Sequence, residues 1–256
     1  VAANCRYIVV FHFDGNFGLN YKDTPDRRKR TVNTPAWWKQ RTRIMQDYVI
    51  PSLYNQTFQS FETWALVMKG YEEQSKAIVS DLLQRGGHVS FDGPGPIREH
   101  YRHMKEDWLG VIHHDSDDLY SRDAFFLYQN VEPVEGRIAY FHQGYVYGVN
   151  NKQLFVLGKK GTLPLAFYMT LYPKWALQSE PHWYGYRRIA GVAVDHFQIH
   201  KTKQRVCLPN GNFCQLIHGT NTVSAWKNPN LKKRFARKVT DDAERRKIMA
   251  RFGVTL

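Results

Sequence analysis

An α/β fold, with a mixed central sheet flanked by helices, is what the sequence predicts, and three observations carry the prediction. The segment "RYIVVFHF", residues 6–13, is an unbroken apolar run rich in β-formers that ends at Asp14-Gly15, the pattern of a strand buried on both faces. Strand-like and helix-like segments then alternate as far as Asn130, and such alternation points to parallel strands joined by right-handed helical crossovers. Beyond residue 137 the texture changes to aromatic strands, "RIAYFHQGYVYGV" and "QLFVL", which read as a hairpin extending the sheet. A chain of 256 residues with 43% hydrophobic content can bury a sizeable core, and one domain over 1–256 is expected.

The elements follow in order. Residues 14–36 are polar and charged, with glycines and two prolines, and predict a long loop after the first strand. Trp38, Ile44, Met45, Tyr48, Val49 and Leu53 recur at helical spacing, with Pro51 expected to interrupt the helix near its end. "FETWALVMK" predicts a strand, "SKAIVSDLLQRG" a helix stopping at Gly86-Gly87, and "HVSF" a short strand before the turn "DGPGP". A helix is expected in "IREHYRHMKEDW", a strand in "WLGVIHH", and a further helix in "SRDAFFLYQN" with Asp123 in its first turn. The last stretch, "WKNPNLKKRFARKVTDDAERRKIMARF", predicts a basic helical tail over 227–256.

Thirty-six Lys and Arg against 23 Asp and Glu give a net charge of +13, a field that attracts phosphate-bearing molecules. The basic residues gather at Arg27 to Arg30 and in the tail, notably Lys232, Lys233, Arg234, Arg237 and Lys238. A solvated helix face and a loop are the plain alternative. No apolar run approaches the roughly 20 residues of a membrane span, and the first residues lack the pattern of a signal peptide. A protein without a transmembrane segment, located in the cytoplasm, is therefore expected. Cys5, Cys207 and Cys214 form an odd set with no CxxC pair, which predicts reduced thiols rather than a disulfide framework. Cys207, Cys214 and His218 lack a fourth partner and a standard spacing for zinc.

Against the basic background, "VIHHDSDDLYSRDAFF" places Asp115, Asp117, Asp118 and Asp123 directly behind an apolar strand. In α/β sheets chemistry collects at the carboxyl ends of strands. Two carboxylates together with a substrate diphosphate suit a hard cation such as Mg²⁺ or Mn²⁺, and a cation turns an acidic pocket into one that accepts phosphate. A calcium loop fits poorly, since Tyr120 and Phe126 stand where it needs Gly and Glu. The plain structural alternative is that Asp118 and Ser121 cap the next helix.

"DSDDLYSRDAFF" resembles the Asp-x-Asp metal-binding segment of glycosyltransferases with the GT-A fold. "DYVIPSLYNQTFQSFETWALVM", 47–68, is similar to the helix-to-strand passage of the rhamnosyltransferase-like branch of that superfamily, and "FCQLIHGTNTVSAW", 213–226, to its late His-Gly-x-Asn element. The resemblance covers roughly residues 5 to 226 and implies a Rossmann-like, GT-A type mixed sheet. The loop 14–36 and the basic tail have no counterpart in it, and His113-His114 replaces an expected Arg-Leu.

What the resemblance implies is a metal-dependent, inverting transfer of a sugar from a nucleotide-sugar donor (UDP, dTDP or GDP) to an acceptor hydroxyl. Asp115 would contact the donor ribose or the metal shell, Asp117 would ligate the Mn²⁺ or Mg²⁺, His218 would complete that shell, and Asp118 would support the loop. Phe11 and His12 would lie against the base and Arg43 would pair with a phosphate. Asp92, in "SFDGPG", would contact the base or simply form a turn. Asp195, in the apolar stretch "AGVAVDHFQIH", is the candidate catalytic base, since burial would raise its pKa; a helix-facing or salt-bridged acid is the plain alternative. The acceptor is a saccharide or, given the charge, a hydroxylated base in DNA. Trp183, Tyr184 and Tyr186 beside Arg187 and Arg188, with Lys232, Lys233, Arg234 and Arg237, are its candidate contacts. A non-catalytic nucleic-acid-binding protein, its acids purely structural, is the alternative in a different class.

Overall fold

The computed structural model describes residues 4–13, 33–67, 69–93, 95–135, 137–158, 167–179, 204–218 and 232–256. Its strands are β1 (Cys5–His12), β2 (Phe61–Leu66), β3 (His88–Ser90), β4 (Trp108–Asp115), β5 (Asp118–Tyr120) and β6 (Ile138–Phe141). They continue with β7 (Tyr145–Gly148), β8 (Leu154–Leu157), β9 (Tyr168–Pro173), β10 (Arg205–Leu208), β11 (Phe213–Ile217) and β12 (Phe235–Val239). Seven of them form one sheet in the order β10-β6-β9-β4-β1-β2-β3, and five form a second in the order β12-β8-β7-β11-β5.

The first sheet is mixed, as its sequence predicts. β4, β1, β2 and β3 run parallel, while β9 lies antiparallel between β4 and β6. The apolar continuity of β1 has a direct cause. Val9, Phe11 and Phe13 enter one core cluster and Ile8 and Val10 a second, so successive side chains are buried on opposite faces. The larger core joins this sheet to the helical segment 35–54, the helix Glu72–Gln84 and the second sheet. The smaller one packs Trp64, Leu66, Leu109 and Val111 against Ile97 and Tyr101 of the helix Gly95–Tyr101, and against Leu177.

Thr34 opens the helix Pro35–Ile44, its hydroxyl accepting from Trp37 N at 3.2 Å with Pro35 in the first turn, where the missing N–H costs nothing. Pro51 does not end the helical segment. The chain widens into a π-helical turn over Met45–Val49 and continues as Ile50–Tyr54, a looser winding of the kind that accommodates a residue unable to donate. The ladder resumes with Asn55 N donating to Pro51 O at 3.0 Å.

Other expectations are corrected. The aromatic run 137–149 is divided between β6 in the first sheet and β7 in the second, so the β7–β8 hairpin extends the second sheet and not the first. Gly144 sits between them, where a Cβ would overlap the Phe213 carbonyl oxygen and lie 2.8 Å from its ring. β5 is too short to read from sequence and exists by pairing with β11. The helix expected in "IREHYRHMKEDW" stops at Tyr101. Within the described part of the tail, 235–239 form β12, an edge strand paired with β8, and the helix Asp242–Ala250, capped by Asp241, follows it. Val239, Ile248, Met249, Phe252 and Val254 join the larger core.

Candidate active site

The acidic stretch spans the junction of the two sheets. β4 ends at Asp115, Ser116 and Asp117 turn the chain, and β5 begins with Asp118. Because β11 pairs antiparallel with β5, Gln215 opposite Asp118, the end of β11 runs back to that turn. Leu216 N donates to Asp117 O at 3.3 Å. Just past the strand, the buried His218 presents Nε2 to Asp117 Oδ2 at 2.9 Å. The carboxylate can only accept, so Nε2 carries the proton and donates. Ligation of a cation by this nitrogen requires loss of that proton and that bond.

Arg41 reaches the same oxygen from the helix Pro35–Ile44. Its Nη1 lies 3.0 Å from Asp117 Oδ2, its side chain is buried, and its guanidinium sits over the Trp37 ring at 4.8 Å. Arg41 is a site residue that the motifs of the sequence do not mark. A signal was present: it stands four residues after Trp37 and three before Ile44, on the buried stripe. Arg43, expected to pair with a phosphate, points to solvent and pairs with Asp47 at 3.2 Å, because two residues along a helix rotate a side chain to another face.

The three carboxyls are pushed apart electrostatically. For Asp117 burial opposes ionisation, but Arg41, then the His218 hydrogen bond, hold it well below the usual carboxylate range. Asp118 is buried and raised well above that range, by burial and then by Asp117 and Asp115. Asp115 is raised to about 7 by the surrounding protein and then by Asp117. It is nevertheless exposed, and water at the carboxyl moderates the size of that shift, not its direction. His114, buried against Phe11 at 4.7 Å between ring centroids, is lowered to about 4 by burial. It is therefore neutral at pH 7, with Nδ1 donating to Asp115 O at 2.7 Å.

The turn is braced from below. Ser52 Oγ donates to Tyr120 O at 2.8 Å and accepts from Tyr120 N at 3.1 Å. Gln56 accepts from Phe125 N at 3.1 Å, and Tyr120 OH donates to His113 O at 2.8 Å. The Ser and Gln of the "PSLYNQ" segment thus hold β5 in place. Neither Asp118 nor Ser121 caps the next helix by its side chain: Asp118 is in β5, and Ser121 Oγ bonds Asn212 Oδ1 at 2.7 Å.

The remaining predicted positions divide. Phe11 is fully buried in the larger core, which corrects its expected place against a nucleotide base: its neighbours leave it no open face. Asp92 is exposed in the turn after β3, its N–H donating to Ser90 Oγ at 3.3 Å, at the same edge of the sheet as Asp115. Arg237 pairs with Glu244, and Lys232, Lys233 and Lys238 are exposed. The side chain of His12, and Trp183, Tyr184, Tyr186, Arg187, Arg188, Asp195 and the Arg27 to Arg30 cluster, lie outside the described residues.

Oxygen donors in this turn fit a hard cation in kind. In arrangement the fit is partial. Asp115, Asp117 and His218 do not bring one donor each within 4.8 Å of one another; among the described residues the group that does is Glu62, His88 and His100. Cys207 and Cys214 fall in different sheets and are free thiols.

No protein-family model matches the chain, and no curated protein matches it. Among solved structures, the inositol-1-phosphate CTP transferase from T. maritima aligns with TM-score 0.41 and 13% identity over 100% of both chains. The glycosyltransferase GlyE of Streptococcus pneumoniae TIGR4 aligns with TM-score 0.42 and 11% identity, over 99% of this chain and 61% of that one. S. aureus TarS 1-349, in complex with UDP, aligns with TM-score 0.41 and 12% identity, over 96% and 70%. At these scores the likenesses carry no argument about activity, and the rhamnosyltransferase-like branch finds no support among the three. Among the described residues no helix is long and apolar enough to cross a membrane.

Proposed function

We propose that this chain is a nucleotide-sugar-dependent glycosyltransferase whose donor diphosphate binds at the turn Asp115 to Asp118. One observation carries the reading. After β1 the chain builds β2 and β3 on one side and then returns to place β4 on the other, so the strand order reverses between β1 and β4. In open α/β sheets that reversal opens a crevice at the carboxyl ends of the strands, and nucleotides bind there. His12 and Asp115 are register partners at this point, and the acids follow at once.

The chain's own residues supply the electrostatics. Arg41 and His218 keep Asp117 ionised and fix its orientation, while Asp115 faces solvent, where the donor must arrive. A bound Mg²⁺ or Mn²⁺ would act as a Lewis acid on the diphosphate leaving group. Asp195 serves in this reading as the base that takes the proton of the acceptor hydroxyl, which an inverting transfer requires. The acceptor is anionic, a saccharide or a hydroxylated base in DNA, because the net charge of +13 favours phosphate-bearing partners.

Thermal stability in the presence of UDP, dTDP and GDP sugars, each with and without Mn²⁺, tests the reading. A shift for one nucleotide class that depends on the cation supports it. Absence of any shift, with salt-sensitive binding of DNA, would favour a non-catalytic nucleic-acid-binding protein.

A further inference from the structure

Glu62, His88 and His100 converge from three elements: the start of β2, the first residue of β3, and the helix Gly95–Tyr101. His88 Nε2 is 3.2 Å from Glu62 Oε2 and His100 Nε2 is 3.9 Å from it, and one donor atom from each lies within 4.8 Å of the others. Ligands about 2.0–2.2 Å from a tetrahedral ion stand about 3.4 Å apart, so two of the three separations are already near that value. The third closes by a movement of His100, whose side chain is 44% exposed.

We propose that these three residues form a binding site for one divalent transition metal ion, Zn²⁺ being the probe, with water completing the coordination. Two imidazoles and a carboxylate suit Zn²⁺ and its neighbours in the transition series and suit Mg²⁺ or Ca²⁺ poorly. The surroundings are those of an oriented ligand set. Tyr101 OH donates to Glu62 Oε2 at 2.7 Å and Arg6 Nη1 to Glu62 Oε1 at 2.9 Å. Trp64 stacks on the His88 ring at 4.5 Å between centroids and donates from Nε1 to Tyr101 OH at 2.8 Å. Arg6 would repel a cation if Glu62 alone held it, but Glu106 binds it too, at 3.0 Å from Nε and 2.8 Å from Nη2. Two carboxylates around one guanidinium leave the locality net negative.

This cluster is separate from the acidic turn. Glu62 is level with Ile8 on β1 and Asp115 with His12, four residues or about 13 Å apart along the strands, toward opposite ends of the parallel strands. A metal here would tie the short edge strand β3 to β2 and to the helix that covers them, and would raise the stability of that edge by mass action.

The test is titration of the full chain with Zn²⁺, followed by calorimetry and by melting temperature, with Co²⁺ as a spectroscopic substitute. Wild type should bind one Zn²⁺ at this site, melt higher with it, and give the visible absorption of four-coordinate Co²⁺. His100→Gln, at an exposed position, should weaken binding by more than about tenfold while unfolding in urea without metal stays close to wild type, and His88→Gln should weaken binding likewise. Asp115→Asn, altering the other acidic cluster, should leave Zn²⁺ affinity unchanged. Undiminished Zn²⁺ affinity in His100→Gln, loss of binding in Asp115→Asn, or no Zn²⁺ binding by wild type would each overturn the proposal.

Discussion

Asp117 and His218 stand 101 positions apart in sequence and meet at 2.9 Å. The antiparallel pairing of β5 with β11 brings them together, and Arg41 closes on the same carboxylate oxygen at 3.0 Å. The acid at the heart of the turn is therefore held by a hydrogen bond and an ion pair from two other parts of the chain, which gives its substitution consequences for both stability and activity.

Asp117→Asn should abolish sugar transfer and also destabilise the fold by about 3 kcal/mol, since it leaves the buried Arg41 guanidinium without its counter-charge. Urea unfolding measures the second effect and donor turnover the first. Full activity in this variant, or in excess chelator, would remove the turn from the chemistry.

Arg41 and Arg43 should behave in opposite ways. Arg41→Gln should lower donor affinity or activity by about 10–100-fold, the range for losing a group that orients a ligand. Arg43→Gln removes one exposed pair with Asp47, costing about 0.3–0.5 kcal/mol, with no change in activity. Equal effects of the two would place Arg41 outside the site.

The raised carboxyl of Asp115 makes the stability of the cation-free protein depend on pH. With the folded-state pKa raised above the ordinary value of 3.8, the folded protein binds more protons than the unfolded chain at pH values between the two. Stability contributed by Asp115 then falls as pH rises through that window. Asp115→Asn should therefore flatten the decline, and stabilise the protein more at pH 7 than at pH 4. Melting curves of both proteins across that range measure it; parallel profiles would contradict the assignment. Cation affinity at the turn should rise over the same window.

Gly144→Ala should destabilise by about 1–3 kcal/mol, because the added methyl drives into the Phe213 backbone and ring. Phe213 begins β11, which carries the chain to His218, so the loss should reach the site as weaker nucleotide binding. Equilibrium unfolding and nucleotide titration of the same variant check both halves.

The exposed Lys232, Lys233 and Lys238 test the proposal of an anionic acceptor. Changing all three to Gln should weaken DNA binding and flatten its dependence on salt, by about 0.9 in the logarithmic slope for each phosphate that a lysine no longer neutralises. Nucleotide-sugar affinity should stay unchanged. Arg237 is left out because Glu244 already holds it. If binding is unaffected, Lys238 serves the β12 edge itself, where a charged side chain discourages pairing with another chain.

The sequence by itself determined the alternating half of this protein. Its β1 run, the helical spacing from Trp37 to Leu53 and the acids behind "WLGVIHH" carry periodicities set by local geometry and burial, which any fold must respect. It also marked Asp115, Asp117 and His218 as residues to watch. Only the tertiary structure decided that the described strands make two sheets, that "RIAYFHQGYVYGV" divides between them, and that the three residues Asp118–Tyr120 form a strand, since pairing partners far along the chain create these features. The same holds for Arg41, whose charge hid its place on a buried stripe, and for Glu62, His88 and His100, whose donors share a space that no spacing in the sequence records. Periodicity reports which face a residue occupies, but which distant face it meets is fixed by packing.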